Sequence, residues 1–428
     1  MNIKRMTIKN FKSIEDAVID FTPFTTFVGA NAAGKSNLIN VFRFIQNILT
    51  DGIDNAIALQ GGVQYLANAN LPKGEKIEIS FVLDLRNETW IRHLRNKKFA
   101  LEVEEIESHF IIQPNRRGGG YHIAYDFIKV LYECYSFDSS SKEEKFKSLN
   151  TFYTAIYERK SKQSSAKFDT KIQFDGESAN EELLKLLQNE QASDFFKMVV
   201  NEDKEELMLY RLSLLLPPAF SENTFIRIFD FDPKELKKSS SMASTKIFSE
   251  NGSNLASILQ AILRNKEQTQ RLTVLLNQFL PFIETVSVEN NPDKSFSYKI
   301  RERYNKKSFH ANFLSDGTVS ILALIIALYF EEFSGIIILE EPERNIHPKL
   351  LAGLISSVED VSKEKQVIIT THNPEFLKHT PVEVVKLVSR DDAGRTKVTA
   401  PIENKVVAAF LKNDLGLDDL FLQGLLED

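Results

Sequence analysis

The chain has 428 residues, of which 43% are hydrophobic and 26% are charged, and its formal net charge is −6. A single core stops growing at roughly 250–300 residues, so this length predicts two lobes or an inserted domain. The acidic balance excludes a generally basic nucleic-acid-binding surface, although a local basic patch stays compatible with it. The single cysteine, Cys134, excludes an internal disulfide framework, and we expect it to be a small buried hydrophobe in a reducing cytosol.

The first 85 residues show a mixed α/β pattern. Residues 3–8 and 17–21 alternate polar and apolar side chains as strands do, and residues 25–28 form a third short apolar strand. Apolar residues at helical spacing then predict a helix over residues 35–49, and residues 77–85 alternate again. The start of the chain lacks the long apolar segment of a signal peptide, which favours a cytoplasmic location.

The middle of the chain has a different composition, because charged residues are frequent in it. We predict a mostly helical insertion over residues 86–224. A strand is expected at residues 226–231, followed by an amphipathic helical stretch over residues 255–280 that is broken once.

Strands and helices alternate again in the last third. Strands are expected at residues 286–289, 297–304, 336–339, 367–370 and 384–388. The most apolar stretch, residues 319–330, is too short for a bilayer, which needs about 20 residues, so we expect a buried helix and no membrane span. This alternation predicts a mainly parallel sheet covered by helices.

The strongest motif is the octapeptide Gly-Ala-Asn-Ala-Ala-Gly-Lys-Ser at residues 29–36, which fits G-x-x-x-x-G-K-[ST]. Average residue usage makes such a match roughly a one-in-a-hundred event for this length. Its glycines let backbone N–H groups face a phosphate chain, and the helix that follows adds its positive end. Lys35 can reach the β and γ phosphates of ATP, while the Ser36 hydroxyl can ligate Mg²⁺.

An apolar strand ending in two acids, Glu340 and Glu341, is the arrangement called Walker B. The first acid would hold the Mg²⁺ shell, and the second would polarise the attacking water. The first position is usually aspartate, so the glutamate puts the metal geometry and the turnover rate in question. Pro342 and Glu343 complete a more specific Glu-Glu-Pro-Glu stretch.

Two weaker segments accompany these motifs. Leu-Ser-Asp-Gly-Thr at residues 314–318 directly precedes the apolar helix and, taken alone, fits an ordinary helix N-cap equally well. His372 follows the strand at residues 367–370, where it could contact a γ phosphate. A hydrogen-bonded structural histidine is the commoner alternative at such a position.

In this order the segments resemble ABC-type ATPases of the SMC/RecF branch, and most of all the OLD (overcoming lysogenization defect) group of anti-phage ATPases. The resemblance covers both ends, about half of the chain: residues 8–14, 29–36, 314–318, 336–348 and 370–377. It implies an α/β ABC-type head split in sequence. Residues 1–85 and 225–428 would form the ATPase domain around the helical insertion at residues 86–224.

The resemblance also implies roles for individual residues. ATP would lie between two protomers, so the protein would be a homodimer or a higher oligomer. Ser315 and Gly317 would contact the γ phosphate held by the partner's P-loop, Glu341 would be the catalytic acid, and His372 would sense that phosphate. The implied nucleotide ligands are Asn31, Gly34, Lys35, Ser36, Asn37, Lys12 and Ser13, with Ser36 and Glu340 on Mg²⁺. His347 lies where transporter ATPases carry aspartate, and Gln60 or Gln64 would complete the Mg²⁺ shell unless it is a surface-loop residue.

The partners follow from the same resemblance. OLD proteins continue into a TOPRIM nuclease, whereas this sequence ends about fifty residues after His372, too few for another domain. We therefore expect a separate effector, a nuclease or toxin, gated by an ATP-driven defence switch. The alternative is a RecF-like repair ATPase acting on DNA through basic pairs at residues 116–117, 237–238 and 306–307. A transporter subunit and a non-hydrolysing scaffold are weaker alternatives.

Overall fold

The computed structural model describes residues 1–68, 70–72, 74–86, 91–93, 98–116, 119–138, 145–162, 165–175, 206–215, 225–243, 247–331, 335–403 and 416–423. The chain divides into two compact units. Unit 1 comprises Met1–Phe21, Ser36–Phe225 and Arg390–Val398, and unit 2 comprises Thr22–Lys35, Ile226–Ser389 and Thr399–Asp428. None of the helices in these ranges has both the length and the apolar character required to cross a bilayer.

The described strands follow one another in this order: β1 (Asn2–Phe11), β2 (Ile14–Asp20), β3 (Phe24–Val28), β4 (Ile77–Asp84), β5 (Ile91–His93), β6 (Phe99–Pro114), β7 (Tyr121–Asp138), β8 (Lys145–Lys162), β9 (Ser165–Asp175), β10 (Ile226–Phe229), β11 (Ser240–Ser241), β12 (Ile283–Asn290), β13 (Ser295–Glu302), β14 (Ser308–His310), β15 (Ile336–Glu340), β16 (Gln366–Thr371), β17 (Val385–Arg390) and β18 (Thr396–Thr399).

The described helices are α1 (Lys35–Leu59), α2 (Val63–Leu66), α3 (Met208–Leu215), α4 (Pro233–Leu236), α5 (Leu255–Leu263), α6 (Lys266–Phe279), α7 (Asp316–Tyr329), α8 (Leu351–Val361), α9 (Pro374–Leu377) and α10 (Leu417–Leu422). Short 3-10 turns occupy Ala311–Phe313, Pro348–Leu350, Val382–Val384 and Pro401–Glu403.

Unit 2 is built on a parallel sheet with the strand order β10-β15-β16-β3-β17. β3 and β16 are buried along their whole length, as strands of a sheet covered on both faces are. The predicted α/β fold with a mainly parallel sheet is therefore confirmed. Because the strands are parallel, the carboxyl ends of β3, β15 and β16 lie at one edge, where ligands bind in open α/β sheets.

A second, antiparallel sheet in unit 2 has the order β11-β13-β12, and β14 pairs with β13. α5, α6 and α7, which is buried from Thr318 to Leu328, pack in the same core cluster. The predicted single break in the helical stretch is confirmed, because α5 ends at Leu263 and α6 begins at Lys266. Asn265 caps α6 by accepting hydrogen bonds from the N–H groups of Glu267 and Gln268, at 2.9 and 3.1 Å.

Unit 1 contains an antiparallel sheet in the order β2-β1-β4-β6-β7-β8-β9, with β5 on β6. The prediction of a mostly helical insertion is wrong for the described residues 91–175, which are chiefly strand; residues 176–205 and 216–224 lie outside the described residues. In β6 buried side chains alternate with less buried ones, a period of two. Four glutamates obscure this period in the sequence, because such a density of charge is also typical of a helix surface: Glu102, Glu104, Glu105 and Glu107.

Cys134 lies on β7 and is fully buried, as expected. Burial raises the pKa of its thiol to about 12, so it is an inert thiol at neutral pH.

The predicted helix after the P-loop is confirmed and is longer than expected, because α1 runs to Leu59 with a break at Gly52 (φ 80°, ψ 171°). Both broken ends find partners, one within α3 and one on the residues just before it. The Ser213 hydroxyl donates to the Leu49 carbonyl at 2.7 Å, and a Glu206 carboxylate oxygen accepts from the Ile53 N–H at 3.1 Å. The break is therefore a capped and satisfied feature of the fold.

Candidate nucleotide-binding site

The P-loop leaves the carboxyl end of β3, next to the end of β16. The Gly29 N–H donates to the Thr371 carbonyl at 3.3 Å, which fixes the start of the loop to the neighbouring strand. A Cβ atom at Gly29 would lie 2.0 Å from the Val388 carbonyl oxygen. Glycine is thus required here because the backbones of β3 and β17 approach each other closely.

The loop itself has the backbone conformation of an anion nest. Ala32 (φ 64°) and Gly34 (φ 112°) both have positive φ, while the chain enters the right-handed α1 at Lys35. Alternation of the two hands turns successive N–H groups toward one point, and the helix N-terminus adds its positive end. Asn31 lies in the same loop and is exposed.

Lys35 folds back over this loop. Its ammonium donates to the carbonyls of Gly29 and Ala30, at 2.7 and 2.9 Å, and the residue is only 7% exposed. Burial lowers the pKa of Lys35, and the nearby carboxylates, Glu341 first, oppose that shift. The site therefore brings a buried cation into the field of the acids that end β15.

Glu341 follows β15 in a left-handed conformation (φ 46°), and its N–H donates to the Thr370 carbonyl at 2.9 Å. One carboxylate oxygen lies 2.7 Å from His372 Nδ1, and the other accepts from Arg344 at 3.1 Å. Burial by itself would raise the pKa of Glu341. The contacts with His372 and Arg344 outweigh it, so the pKa of this carboxyl lies below its ordinary value.

Two residues around Glu341 were not assigned a role from the sequence. Arg344 joins Glu341 to Asp230, whose carboxylate lies 3.2 Å away. Glu343 is 6% exposed and accepts a hydrogen bond from the Thr371 hydroxyl, and burial raises its pKa. The spacing of an arginine three residues after the acid was the available signal for Arg344, because such a pair meets in one turn.

The segment at residues 314–318 caps α7. The Ser315 hydroxyl oxygen accepts from the Thr318 N–H at 3.1 Å, so the N-cap interpretation holds structurally. Ser315 is nevertheless exposed, and a Cβ atom at Gly317 would lie 2.7 Å from the Asn345 carbonyl oxygen. The start of α7 therefore packs against the loop after Glu341. In that loop His347 Nδ1 accepts a hydrogen bond from the Lys349 N–H at 3.2 Å.

The remaining candidates lie in unit 1. Asn37 donates to the Ser13 hydroxyl at 2.6 Å, which brings these two predicted residues together. Lys12 has positive φ (50°), and burial, followed by the charge of Arg43, lowers its pKa. Gln64 donates weakly to the Gly61 carbonyl at 3.4 Å and is exposed.

The donor set in unit 2 fits a magnesium nucleotide. Glu343 Oε2 and Thr370 Oγ1 are buried and form no hydrogen bond with the described part of the chain. Buried polar atoms of this kind normally find partners in water or a ligand. A nest of backbone N–H groups, a buried lysine and carboxylates at a strand end are the groups that phosphoryl transfer uses.

These features are those of a P-loop nucleotide-binding site of the kind that ATPases use. The chain belongs to the AAA ATPase domain family (AAA_15), whose model matches residues 1–377. The SMC head crystallised with the C-winged helix domain of ScpA is similar in fold, with a TM-score of 0.50 and 15% identity. That similarity covers 93% of this chain and 97% of the other.

Two curated relatives come from Methanocaldococcus jannaschii. The uncharacterized protein MJECL43 is 26% identical over 144 residues, which is 31% of this chain and 38% of that protein. The uncharacterized protein MJ1542 is 37% identical over 108 residues, which is 25% of this chain and 13% of that protein. The match thus spans well under half of the length of either relative.

Proposed function

We propose that this chain hydrolyses ATP in a Mg²⁺-dependent reaction and that Glu341 is the carboxylate that orients the attacking water. The observation that carries the proposal is the 2.7 Å contact between Glu341 and His372. The charge of the same carboxylate also acts on the Lys35 ammonium. A carboxylate held ionised and oriented by His372 and Arg344 is suited to accept a proton from water.

Each proposed residue has a separate task. The P-loop N–H groups around Asn31 and Gly34 bind the phosphate chain, and Lys35 exchanges its carbonyl partners for the β and γ phosphates. Mg²⁺, held by the Ser36 hydroxyl and Glu340, would neutralise charge on the phosphates when bound. In unit 1, Asn37, Lys12 and Ser13 are proposed to contact the nucleotide.

His372 has two roles in this proposal. Before ATP binds, it holds the Glu341 carboxylate in place. After ATP binds, its ring leaves that carboxylate and contacts the γ phosphate instead. Hydrolysis removes the γ phosphate and returns the histidine to Glu341. This exchange couples the nucleotide state to the loop that carries Arg344.

We further propose that a second copy completes the site through Ser315 and Gly317. Ser315 is exposed although it caps a helix, so its surface is accessible to another protomer. The chain contains one P-loop and one such segment, so a symmetric dimer would hold two nucleotides.

Mixing two inactive variants tests this shared site. Lys35→Ala removes the phosphate contact, and Ser315→Arg blocks the partner-facing surface; each alone should abolish turnover. In an equal mixture, half of the dimers are mixed and one of their two sites is intact, so about a quarter of the activity should return. A mixture with no more activity than its components would exclude a shared site.

For the biological role, we propose an ATP-driven switch in anti-phage defence that gates a separate effector protein, a nuclease or toxin. The support is the resemblance to the OLD group, including Asn-Ile-His-Pro at residues 345–348. The alternative is a repair ATPase acting directly on DNA. Turnover measured with and without linear duplex DNA separates them: strong stimulation favours direct action on DNA, and indifference favours control by a protein partner.

A further inference from the structure

Exposed aromatic side chains are concentrated in one short segment of unit 2. In the described part of the chain four phenylalanine or tyrosine residues are exposed, and three of them lie between residues 303 and 313. Tyr304 is 85% exposed, Phe313 is 77% exposed and Phe309 is 36% exposed. Because the burial of an aromatic ring contributes strongly to stability, this clustering indicates a surface kept for a ligand.

The same segment is strongly basic. Residues 303–313 read Arg-Tyr-Asn-Lys-Lys-Ser-Phe-His-Ala-Asn-Phe, with three cations, one histidine and no carboxylate, in a chain of net charge −6. We call these residues the 303–313 hairpin, because they join β13 to β14 and continue to the turn before Ser315.

The cations of the hairpin differ from their neighbours on β13. Lys299 is paired with Glu289 at 2.5 Å and Arg301 with Glu284 at 2.9 Å. Lys306 and Lys307 are exposed and form no ion pair or hydrogen bond with any described residue. Charge is thus neutralised on the strand and left uncompensated on the hairpin, beside the exposed rings.

We propose that the 303–313 hairpin binds single-stranded nucleic acid. Lys306 and Lys307 contact phosphates, and Tyr304 and Phe313 stack on unpaired bases. Cations that follow the backbone, interleaved with rings that stack on bases, are the combination that binds single strands without sequence preference. A duplex offers the phosphates and keeps its base faces covered, so the exposed rings favour a single strand.

A second copy of this chain fits the hairpin less well. A two-fold contact through the same segment would bring four lysines together with no carboxylate in either segment to neutralise them. The inference does not depend on the proposed ATPase role, because strand binding can be measured without nucleotide. Phe313 nevertheless precedes Ser315 by two residues, which places a bound strand beside the start of α7.

The test uses the full-length chain and a fluorescent oligothymidylate, with binding followed by anisotropy over a range of salt concentrations. Lys306→Glu/Lys307→Glu should weaken binding at least tenfold and lower the slope of log K against log salt by about 1.4, because each phosphate contact to a single strand contributes about 0.7. The matched control is Arg264→Glu/Lys266→Glu, which makes the same charge change at two exposed cations elsewhere in unit 2 and should leave binding unchanged.

The rings are tested separately with Tyr304→Ala/Phe313→Ala, which should weaken binding at least tenfold. On an abasic strand of equal length this variant should bind like the unmodified protein, because no bases remain to stack. Tyr65→Ala, at the fourth exposed aromatic residue, is the control and should have no effect.

Several results would overturn the proposal. They are no binding of oligothymidylate at low salt, unchanged binding by the aromatic variant, or an equal loss on abasic and normal strands. Tighter binding of duplex with no effect of the rings would assign the lysines to a duplex instead. Loss of self-association in place of strand binding would assign the hairpin to a dimer contact.

Discussion

Single residues around Glu341 determine the chemistry that the site can support. His372 and Arg344 contact opposite oxygens of this carboxylate, at 2.7 and 3.1 Å. Their hydrogen bonds and charges favour the ionised form and outweigh the opposite effect of burial on the pKa of Glu341. The proposed base is therefore ionised and oriented at neutral pH.

His372→Ala should change the pH dependence of turnover. Loss of this hydrogen bond raises the pKa of Glu341, so the carboxylate becomes protonated at a higher pH, and the acidic limb of the kcat profile should move to higher pH. His379→Ala removes a histidine that lies 3.9 Å from Glu375 and should leave the limb in place. An unshifted limb in His372→Ala would show that the histidine does not act on Glu341.

The motif residues of this site were predictable from the sequence, whereas contacts between distant positions outside the motifs were not. Gly29, Lys35 and Glu341 sit at strand ends that their own spacing defines, and the parallel strand order brings those ends together. The contact of Arg344 with Asp230 joins positions 114 residues apart, and no local pattern reveals it. Pairing across such a separation depends on the strand order.

For helices and strands, the predictions succeeded where the spacing of apolar residues along the chain was regular. The strands β1, β2 and β4 follow from clear periods of two, and the pair α5 and α6 follows from a period of about 3.6 residues. Most of β6 and most of β7 show the same period of two, and charged residues such as Glu107 and Lys129 lie on the less buried face. The density of charged residues there is equally typical of a helix surface, and the pairing of these long strands depends on tertiary contacts.

The role of Glu206 at the break in α1 can be tested by substituting Gly52. A Cβ atom at Gly52 would lie 2.8 Å from Glu206 Oε2, so Gly52→Ala should displace the carboxylate that caps Ile53, besides straining the backbone at φ 80°. Gly394 has a similar φ of 76° and open space around it, so Gly394→Ala measures the strain alone.

Denaturant unfolding compares the two variants. Gly394→Ala should cost about 1–2 kcal/mol, and Gly52→Ala about 1–3 kcal/mol more, because a buried N–H loses its acceptor. Equal losses of stability in the two variants would mean that Glu206 does not stabilise the break.

At the scale of the whole molecule, the sequence predicted an ABC-type head with separated motifs, and the family match over residues 1–377 and the similar SMC head agree with it. The long antiparallel sheet of unit 1 could not be anticipated in the same way. Its residues carry no motif for chemistry, so the sequence offered composition alone, and composition does not distinguish a charged strand face from a charged helix face.

In the proposed mechanism Glu341 drives the hydrolysis of ATP, and Lys35 helps to bind that ATP. This mechanism is tested most directly by steady-state turnover and nucleotide affinity of Glu341→Gln, compared with the unmodified protein and with Lys35→Ala. Glu341→Gln should bind Mg²⁺-ATP, lose at least a hundredfold in kcat and accumulate as an ATP-bound dimer, whereas Lys35→Ala should lose affinity. Turnover by Glu341→Gln at the unmodified rate would contradict the account, because the water would then be activated by another group.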